Sequence, residues 1–512
     1  MFIRKKPNRS GTTSVQIIEK RQGKSIVVKS LGSSSKPAII EQLFQSGLEE
    51  VRKISGLLEF NFAIDQEREI INTFFNGIKS IRLMGPELLL GKIFDSIGFN
   101  KIPEELFRYL VITRLVYPVS KLKTVDYLYK YKGISLQVDK IYRYLDKLHE
   151  DKIAQVQQIG YEHALKITND NMSIVFYDVT TLYFEAEEED DLRKTGFSKD
   201  GKHKNPQIVL ALIVNSMGFP LGYEIFEGNK FEGHTMLPVL EAFKSRYKIE
   251  KLVVVADAGL MSNKNIEELI EKKYAFIIGA RIKTETEKLK EKIVGLQLTD
   301  EQSAVIKKGQ KLKLIVSYSL QRAKKDEHNR KRGLKKLEKL AQSGRLTKQQ
   351  ISNRGYNRYL TLTGETKISI DYEKFKTDSR WDGLKGYLTN TDLSKQEVIE
   401  QYGQLWKIEK AFRISKTDLR IRPIYHHLKR RIEAHISIAF AACTVYKELE
   451  RLLNQKKSAL SPGKIIDILK TIYDLTILTP FSKTHYTRLV ITTEEQREAL
   501  NLFQIDFGCP NA

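Results

Sequence analysis

The chain has 512 residues, 41% of them hydrophobic and 9% aromatic, which is enough for two to four domains with their own cores. Its 86 Lys and Arg residues outnumber its 63 Asp and Glu residues and give a net charge of +23, which favours a polyanionic partner. Disulfide frameworks, membrane spans and a signal peptide are not expected, because the chain has two cysteines and lacks the long apolar segments that spans and signals need.

The first third of the chain is predicted to be helical after a short β-hairpin. The runs VQIIEK and SIVVKSLG flank RQGK and predict a hairpin within residues 1–36. Residues 37–170 have helical periodicity and are assigned to a DNA-binding domain. Within them, SKLKTVDYLYKY and LQVDKIYRYLDKL have the outline of a helix-turn-helix. Its basic residues are Lys121, Lys123, Lys140, Arg143 and Lys147, although basic helix pairs also occur without DNA contact.

From residue 171 the pattern changes to strands. SIVFYDVTTLYF, PQIVLALIVN and FPLGYEIFEG predict three consecutive strands, and KLVVVADAG and YAFIIGAR predict two more, with helices between them. This is the order of a ribonuclease-H-like α/β core, which we expect over 171–281 and 381–450. A mainly β insertion with a basic helix is expected over 282–380, and a helical C-terminal region over 451–512.

Two aspartates occupy conspicuous positions in the predicted strands. Alternation places Asp178 on one strand face with Phe176 and Leu182. Asp257 ends a continuous apolar run, where α/β sheets often present ligand-binding groups. Taken alone, either residue could be a capping residue or an ion-pair partner.

A third carboxylate lies in YGQLWKIEKAFRISK, residues 402–416, which predicts one continuous helix. At about 100° per residue, one arc of about 120° holds Tyr402, Leu405, Trp406, Glu409, Phe412, Arg413 and Lys416. A carboxylate buried among aromatic rings needs a cation, a hydrogen-bond network or a metal ion. Glu409 could instead belong to a core helix and pair with Arg413.

Three carboxylates that converge on one sheet edge would repel one another unless cations compensate. Mg²⁺ is a hard ion that prefers such oxygen ligands. Two such ions can activate an attacking oxygen and stabilise a leaving one in phosphoryl transfer. A basic protein with this site is a candidate for cutting or joining DNA.

The chain resembles the DDE transposases of bacterial insertion sequences, specifically the IS-four superfamily. The matching motifs are YDVTTLYFE, VVADAGLMS and the spacing from Tyr402 to Glu409 to Lys416. The family's Arg position holds Leu405, so Lys407 or Arg413 would have to supply its charge, unless a subgroup functions without it. GFSKDGKHKNPQ, GNKFEGHT and RIRPIYHHLKRRIEAHI resemble the branch with a long insertion before the Glu.

The resemblance implies a ribonuclease-H-like core in which Asp178, Asp257 and Glu409 are catalytic and bind two Mg²⁺ ions, for which Mn²⁺ can substitute. It implies cleavage at the terminal inverted repeats and joining of the 3′-hydroxyl ends to target DNA. Tyr402 and Lys416 would contact double-stranded DNA, and Arg413 is added from the helical geometry. A homodimer on paired ends, no membrane partner, and a bacterial cytoplasmic, nucleoid-associated location are expected.

Three other functions share part of this pattern. A ribonuclease-H-like nuclease or resolvase would use the same acids without strand transfer. A catalytically inactive DNA-binding regulator could derive from a transposase. The sequence His427-Leu428-Lys429-Arg430 is a His-x-x-Arg, as in tyrosine recombinases, but that class would leave the placed acids unexplained.

Overall fold

The computed structural model describes residues 1–55, 62–169, 173–198, 200–249, 251–260, 262–347, 350–352, 355–363 and 367–506. By its internal contacts the chain divides into two units. The first comprises Met1–Ser80 and Thr476–Thr487, and the second comprises Ile81–Leu475 and Arg488–Ala512. Among the helices in these ranges, none combines the length and the apolar character that crossing a bilayer requires.

The elements of the N-terminal third are β1 (Phe2–Pro7), β2 (Thr13–Arg21), β3 (Lys24–Ser34), α1 (Pro37–Ser55), α2 (Phe62–Gly77), β4 (Ile78–Leu83), α3 (Lys92–Ile97), α4 (Glu105–Val116), α5 (Lys121–Lys132), α6 (Val138–Asp151) and α7 (Ile153–Ile167). The middle of the chain contains β5 (Ile174–Tyr183), β6 (Gln207–Asn215), β7 (Pro220–Glu227), α8 (Met236–Tyr247), β8 (Val253–Ala256), α9 (Asn263–Glu271), β9 (Ala275–Ala280), α10 (Glu287–Val294), β10 (Ser303–Lys308), β11 (Leu312–Tyr318) and α11 (Leu320–Gln342). The remainder contains β12 (Leu360–Thr363), β13 (Lys367–Ile370), α12 (Tyr372–Asp378), β14 (Leu384–Thr389), α13 (Lys395–Gly403), α14 (Trp406–Arg413), α15 (Lys429–Gln455), α16 (Pro462–Leu469), β15 (Tyr473–Leu478), β16 (His485–Val490) and α17 (Glu494–Leu502).

The first unit contains a three-stranded antiparallel sheet of order β1-β2-β3. Val15, Ile17 and Ile18 of β2 are fully buried. The β2–β3 turn has Gln22 and Gly23 at positive φ, as the two-residue turns that match strand twist require. The segment predicted as a hairpin therefore contains a third strand, β1, in addition.

The second unit is organised around an eight-stranded mixed sheet of order β10-β11-β14-β9-β8-β5-β6-β7. β5, β6 and β7 are antiparallel neighbours, and β5, β8 and β9 are parallel neighbours. β8 has the sequence VVVA and is almost entirely buried, as expected for a parallel strand covered on both faces.

Helices cover both faces of this sheet, and the side chains of β5 alternate between them. Phe176 and Leu182 belong to the core that also contains Ile408 and Phe412 of α14. The side chain of Tyr177 belongs instead to the core formed with α8 and α9. Asp178 follows the alternation and lies on the face that α14 covers.

The secondary structure predicted for two segments of the chain is wrong. Residues 282–380 are not mainly β, because the 23-residue helix α11 is their longest element and β10 and β11 join the main sheet through β14. Residues 451–512 are not only helical, because β15 and β16 pair in a sheet of order β16-β15-β4. Their sequences, YDLTIL and HYTRLV, contain the β-branched and aromatic residues that favour strands.

The predicted helix-turn-helix segments form α5 and α6. Ser120 begins α5 by accepting a hydrogen bond from the Lys123 backbone N–H at 3.4 Å. Gly133 ends the helix in the left-handed conformation, with φ of 67°, which glycine adopts without strain. Lys121, which was expected to be available to phosphates, is buried and only 6% exposed.

Candidate active site

Asp178 and Asp257 lie at equivalent positions of two neighbouring parallel strands. In the β5–β8 pairing Tyr177 is opposite Ala256, so each aspartate directly follows a paired residue. Adjacent strands are about 4.8 Å apart, which makes the two aspartates neighbours at one level of the sheet. Asp178 is half-buried and Asp257 is exposed, so solvent reaches both positions.

Glu409 lies on α14, the helix that covers the same sheet face as Asp178. The helix is anchored by its buried residues Ile408, Ala411 and Phe412, while Glu409 is exposed. Glu409 is therefore not a carboxylate enclosed by aromatic rings. Trp406, expected in the same stripe, is 53% exposed.

The single helix predicted for residues 402–416 is wrong, because the segment forms three pieces. α13 ends at Gly403, α14 begins at Trp406, and Ile414–Asp418 is a π-helix. Gly403 has low helix propensity, and the pieces have different partners: α13 packs against β9 and β14, and α14 against β5 and β6. Tertiary packing therefore overrides the uninterrupted helical pattern.

Tyr402 contacts the acidic site rather than solvent. Its side chain is 6% exposed, and its hydroxyl donates a hydrogen bond to Asp257 Oδ1 at 2.9 Å. The ring packs edge-to-face against Tyr387, with 5.1 Å between centroids. Burial and the negative charge of Asp257 raise the pKa of Tyr402, so its hydroxyl stays protonated and keeps donating.

Lys385 of β14 is a cation near the site that the sequence interpretation missed. Its Nζ lies 4.4 Å from the centroid of the Tyr402 ring. Burial lowers the pKa of Lys385, Arg322 lowers it further, and the charges of Asp257 and Glu409 oppose the decrease. Lys385 is thus within electrostatic reach of both carboxylates. A lysine alternating with Tyr387 in the strand LKGYLT was the available signal.

The other predicted DNA-contacting residues are at and after the end of α14. Lys416 is in the π-helix, and its Nζ is 3.7 Å from Asp200 Oδ2. Arg422 forms an ion pair with the same carboxylate. Arg413 is exposed in the last turn of α14. Lys416 is therefore already held by an acid, whereas the Arg413 side chain is accessible to a ligand.

The position of the family's Arg is filled by an apolar side chain. Leu405 is only 8% exposed and belongs to the core shared by the sheet and α14. Lys407 is engaged by Gln404 Oε1 at 2.8 Å and by the carbonyl oxygen of Ser216. The charges of Asp257 and Glu409 act on Lys385, whereas the ammonium group of Lys407 is held by Gln404 and Ser216.

No group of three or more His, Cys, Asp and Glu side chains within the described ranges is arranged to hold a metal ion. The donor chemistry nevertheless fits a hard divalent cation, because Asp178 and Asp257 are adjacent and accessible carboxylates. Glu409 is accessible on the same face of the sheet. A complete site needs Glu409 to approach the two aspartates.

Residues 170–445, more than half of the chain, match the family described as "Transposase DDE domain". The chain belongs to the DDE transposase family. The matched region contains Asp178, Asp257 and Glu409, and the family supports the expectation of an enzyme of DNA transposition.

A solved structure similar to this DDE transposase is the cryo-EM structure of a piggyBac transposase synaptic complex with hairpin DNA. The two chains are 10% identical, the TM-score is 0.39, and the match covers 71% of this chain and 69% of the other. No curated protein matches this DDE transposase.

Proposed function

We propose that the protein is the transposase of an insertion sequence of the IS-four superfamily. It binds the terminal inverted repeats, cleaves DNA at the transposon ends and joins the freed 3′-hydroxyl ends to target DNA. The observation that carries this proposal is the adjacency of Asp178 and Asp257 on parallel strands, with Glu409 on the helix covering the same sheet face. The sheet order, with three antiparallel strands followed by two parallel ones, supports a ribonuclease-H-like core.

The carboxylates of Asp178, Asp257 and Glu409 would hold two divalent ions, normally Mg²⁺. When bound, these ions supply the charge that activates the attacking oxygen and stabilises the leaving one. The Tyr402 hydroxyl orients the Asp257 carboxylate through its 2.9 Å hydrogen bond, as residues behind a metal ligand commonly do. Lys385 reduces the repulsion between Asp257 and Glu409 and contributes positive charge where a DNA phosphate must approach.

DNA contacts would come from the cations around this edge. Arg413 is exposed one helical turn after Glu409. The ammonium group of Lys416 would contact a phosphate if its ion pair with Asp200 opens or is shared with the phosphate. Tyr402 is buried, so its hydroxyl would hydrogen-bond Asp257 and would not contact the DNA backbone. The net charge of +23 supports binding to double-stranded DNA, and a homodimer on paired ends in the bacterial nucleoid is part of the proposal.

The test is a cleavage assay on supercoiled DNA that carries the sequences flanking the coding region. With Mg²⁺, the wild-type protein should release the element, Asp257→Ala should not, and both should bind the DNA. Asp467→Ala is the matched control, since Asp467 is an exposed acid whose side chain is 69% accessible. If neither the wild type nor Asp257→Ala releases the element and both bind DNA, the protein is not an active transposase and acts as a DNA-binding regulator. Cleavage without joining would indicate a nuclease or resolvase.

A further inference from the structure

A cavity of about 560 Å³ lies between the start of α5, the segment 420–426 and α15. Its volume is within the roughly 300–1,000 Å³ typical of ligand sites. Two of the residues lining it, Arg114 and Lys121, are each only 6% exposed. None of its lining residues is acidic, although one of its cations, Arg422, pairs with Asp200 outside the lining. The cavity therefore concentrates positive charge.

Lys121 is the most informative of these side chains. It forms no hydrogen bond or ion pair with any described residue and lines the cavity directly. Burial lowers its pKa well below the ordinary value, and the positive charge of Arg114 lowers it further. A buried ammonium group without a partner is costly, and an anion in the cavity would remove this cost.

Among the described residues, the hydrogen-bonding partners of the Arg114 guanidinium are neutral. Its guanidinium donates to the Leu419 carbonyl oxygen at 3.5 Å and lies 3.5 Å from His435 Nδ1. His435 Nε2 lies 3.1 Å from the carbonyl oxygen of Ile421, so this nitrogen carries the proton of the neutral ring and donates it. Burial lowers the pKa of His435 well below its ordinary value and that of His426 to about 3. His435 therefore positions the guanidinium, and neither histidine adds charge.

The start of α5 adds a further preference for anions. Ser120, Lys121 and Lys123 line the cavity, and they belong to the N-terminus of a 12-residue helix. The free N–H groups and the dipole at a helix N-terminus favour negative charge, and phosphates commonly bind there. Lys123 is exposed and Tyr425 is 64% exposed, so the cavity is accessible from solvent.

The cavity is connected to the proposed active site. Arg422 lines the cavity and pairs with Asp200, whose other partner is Lys416. Ile424 forms a bridge with Phe184, immediately after β5. The six residue-to-residue steps from Asp178 to Phe184 span about 20 Å, or roughly six base pairs at 3.4 Å each. A DNA strand at the carboxylates could therefore also reach the cavity.

We propose that this cavity binds a phosphate group of the DNA substrate, with Lys121, Arg114 and the N-terminus of α5 as its ligands. The identity of the phosphate source rests on the proposed function. The recognition of phosphate itself rests on the unpaired buried cations and not on any cleavage activity.

The first experiment measures inorganic phosphate binding to the full-length protein by calorimetry and by its effect on the melting temperature. Wild type should bind, Lys121→Gln should bind at least tenfold more weakly, and Lys123→Gln should bind a few-fold more weakly. Lys92→Gln is the matched control, since Lys92 is an exposed lysine of α3 that does not line the cavity, and it should bind as wild type does. Absence of binding to wild type would overturn the proposal, as would unchanged binding by folded Lys121→Gln. If Lys121→Gln does not fold, unchanged binding by Lys123→Gln has the same consequence.

The second experiment identifies the source of the phosphate. A 20-base-pair duplex should displace inorganic phosphate, and Lys121→Gln should reduce the dependence of log affinity for the duplex on log salt by about one unit. A duplex that binds without displacing phosphate would overturn the assignment to DNA and indicate a site for free phosphate. Asp257→Ala should lose cleavage but keep phosphate binding, so failure of the proposed function and failure of the cavity proposal are distinguishable.

Discussion

The carboxylate edge and the basic cavity of the second unit are charged in opposite ways and are covered differently. At the edge, Asp257 and Glu409 are exposed and Lys385 is the cation nearby. In the cavity, Lys121 and Arg114 are buried and the lining contains no acid. The carboxylates at the edge are hydrated, whereas the side chains of Lys121 and Arg114 are withdrawn from water at a cost in stability. The comparison suggests that cations from solution complete the edge and an anion completes the cavity.

Replacing a carboxylate at the edge should have the largest effect. Glu409→Gln keeps the shape of the side chain but removes its charge, so cleavage should fall by roughly 10²–10³-fold or more while DNA binding is kept. The measurement is the cleavage rate with Mg²⁺ alongside DNA affinity. Glu400→Gln, an exposed acid on α13, should be fully active. Substantial cleavage by Glu409→Gln would exclude this residue from the site.

The next effect concerns Lys385, a cation near the edge whose charge interacts with those of Asp257 and Glu409. Lys385→Met should lower the cleavage rate by about tenfold to a hundredfold, because a positive charge near the reacting phosphate is lost. The same change should lower the Mg²⁺ concentration for half-maximal activity, since Asp257 and Glu409 lose a competing cation. A Mg²⁺ titration checks both, with exposed Lys376→Met as control. Unchanged rate and unchanged Mg²⁺ dependence would show that Lys385 is outside the site.

Removing the hydrogen bond to Asp257 should have a smaller effect. Tyr402→Phe keeps the packing against Tyr387 but leaves Asp257 without the 2.9 Å contact. The Mg²⁺ concentration for half-maximal cleavage should rise, and the cleavage rate should fall by about tenfold. Tenfold is the lower end of the losses seen when a residue that orients a metal ligand is removed. Cleavage rates at limiting and saturating Mg²⁺ provide the check, and wild-type values at both would contradict the orienting role.

Lys416→Ala should change DNA binding modestly. If its ammonium group contacts a phosphate, the slope of log affinity against log salt should fall by about one unit. Because Lys416 is paired with Asp200 at 3.7 Å, Asp200→Asn should have the opposite effect and strengthen DNA binding. Fluorescence titrations over a range of salt concentrations measure both slopes. An unchanged slope for Lys416→Ala would mean that Lys416 does not contact a DNA phosphate.

The smallest effect is expected when Lys121 of the cavity is replaced and the stability of the protein is measured. Lys121→Gln removes a buried charge without a partner, so the free energy of unfolding should stay unchanged or rise by about 1 kcal/mol. Urea unfolding without phosphate measures it. A decrease of several kcal/mol in the free energy of unfolding would show that Lys121 stabilises the fold without a bound anion.

Local patterns in the sequence led to the proposed site residues. Asp178 and Asp257 were recognisable because each ends or interrupts an apolar strand run, and strand order follows from the alternation of strands and helices. The break after Gly403 was not predicted, because the helical pattern continues through it and a single glycine is a weak signal. Packing of the two helices on different strands completes the break.

The cations were missed because they reach their sites from distant parts of the chain. Lys385 comes from a strand that joins the sheet through antiparallel pairing with β9. In the cavity, Arg114 and His435 are 321 positions apart and lie 3.5 Å from each other. The alternation of Lys385 with Tyr387 was the one local signal, and it does not distinguish Lys385 from the many other basic residues of a chain with net charge +23.

The central claim, that Asp178, Asp257 and Glu409 share one divalent-metal site, is tested most directly by cleaving the protein itself with Fe²⁺, ascorbate and peroxide in the presence of substrate DNA. The bound iron generates radicals that cut the nearest backbone, so we expect three sets of fragments, ending near Asp178, Asp257 and Glu409. Excess Mg²⁺ should suppress all three together. Cuts at only one of these positions, or cuts that Mg²⁺ does not suppress, would contradict the shared site.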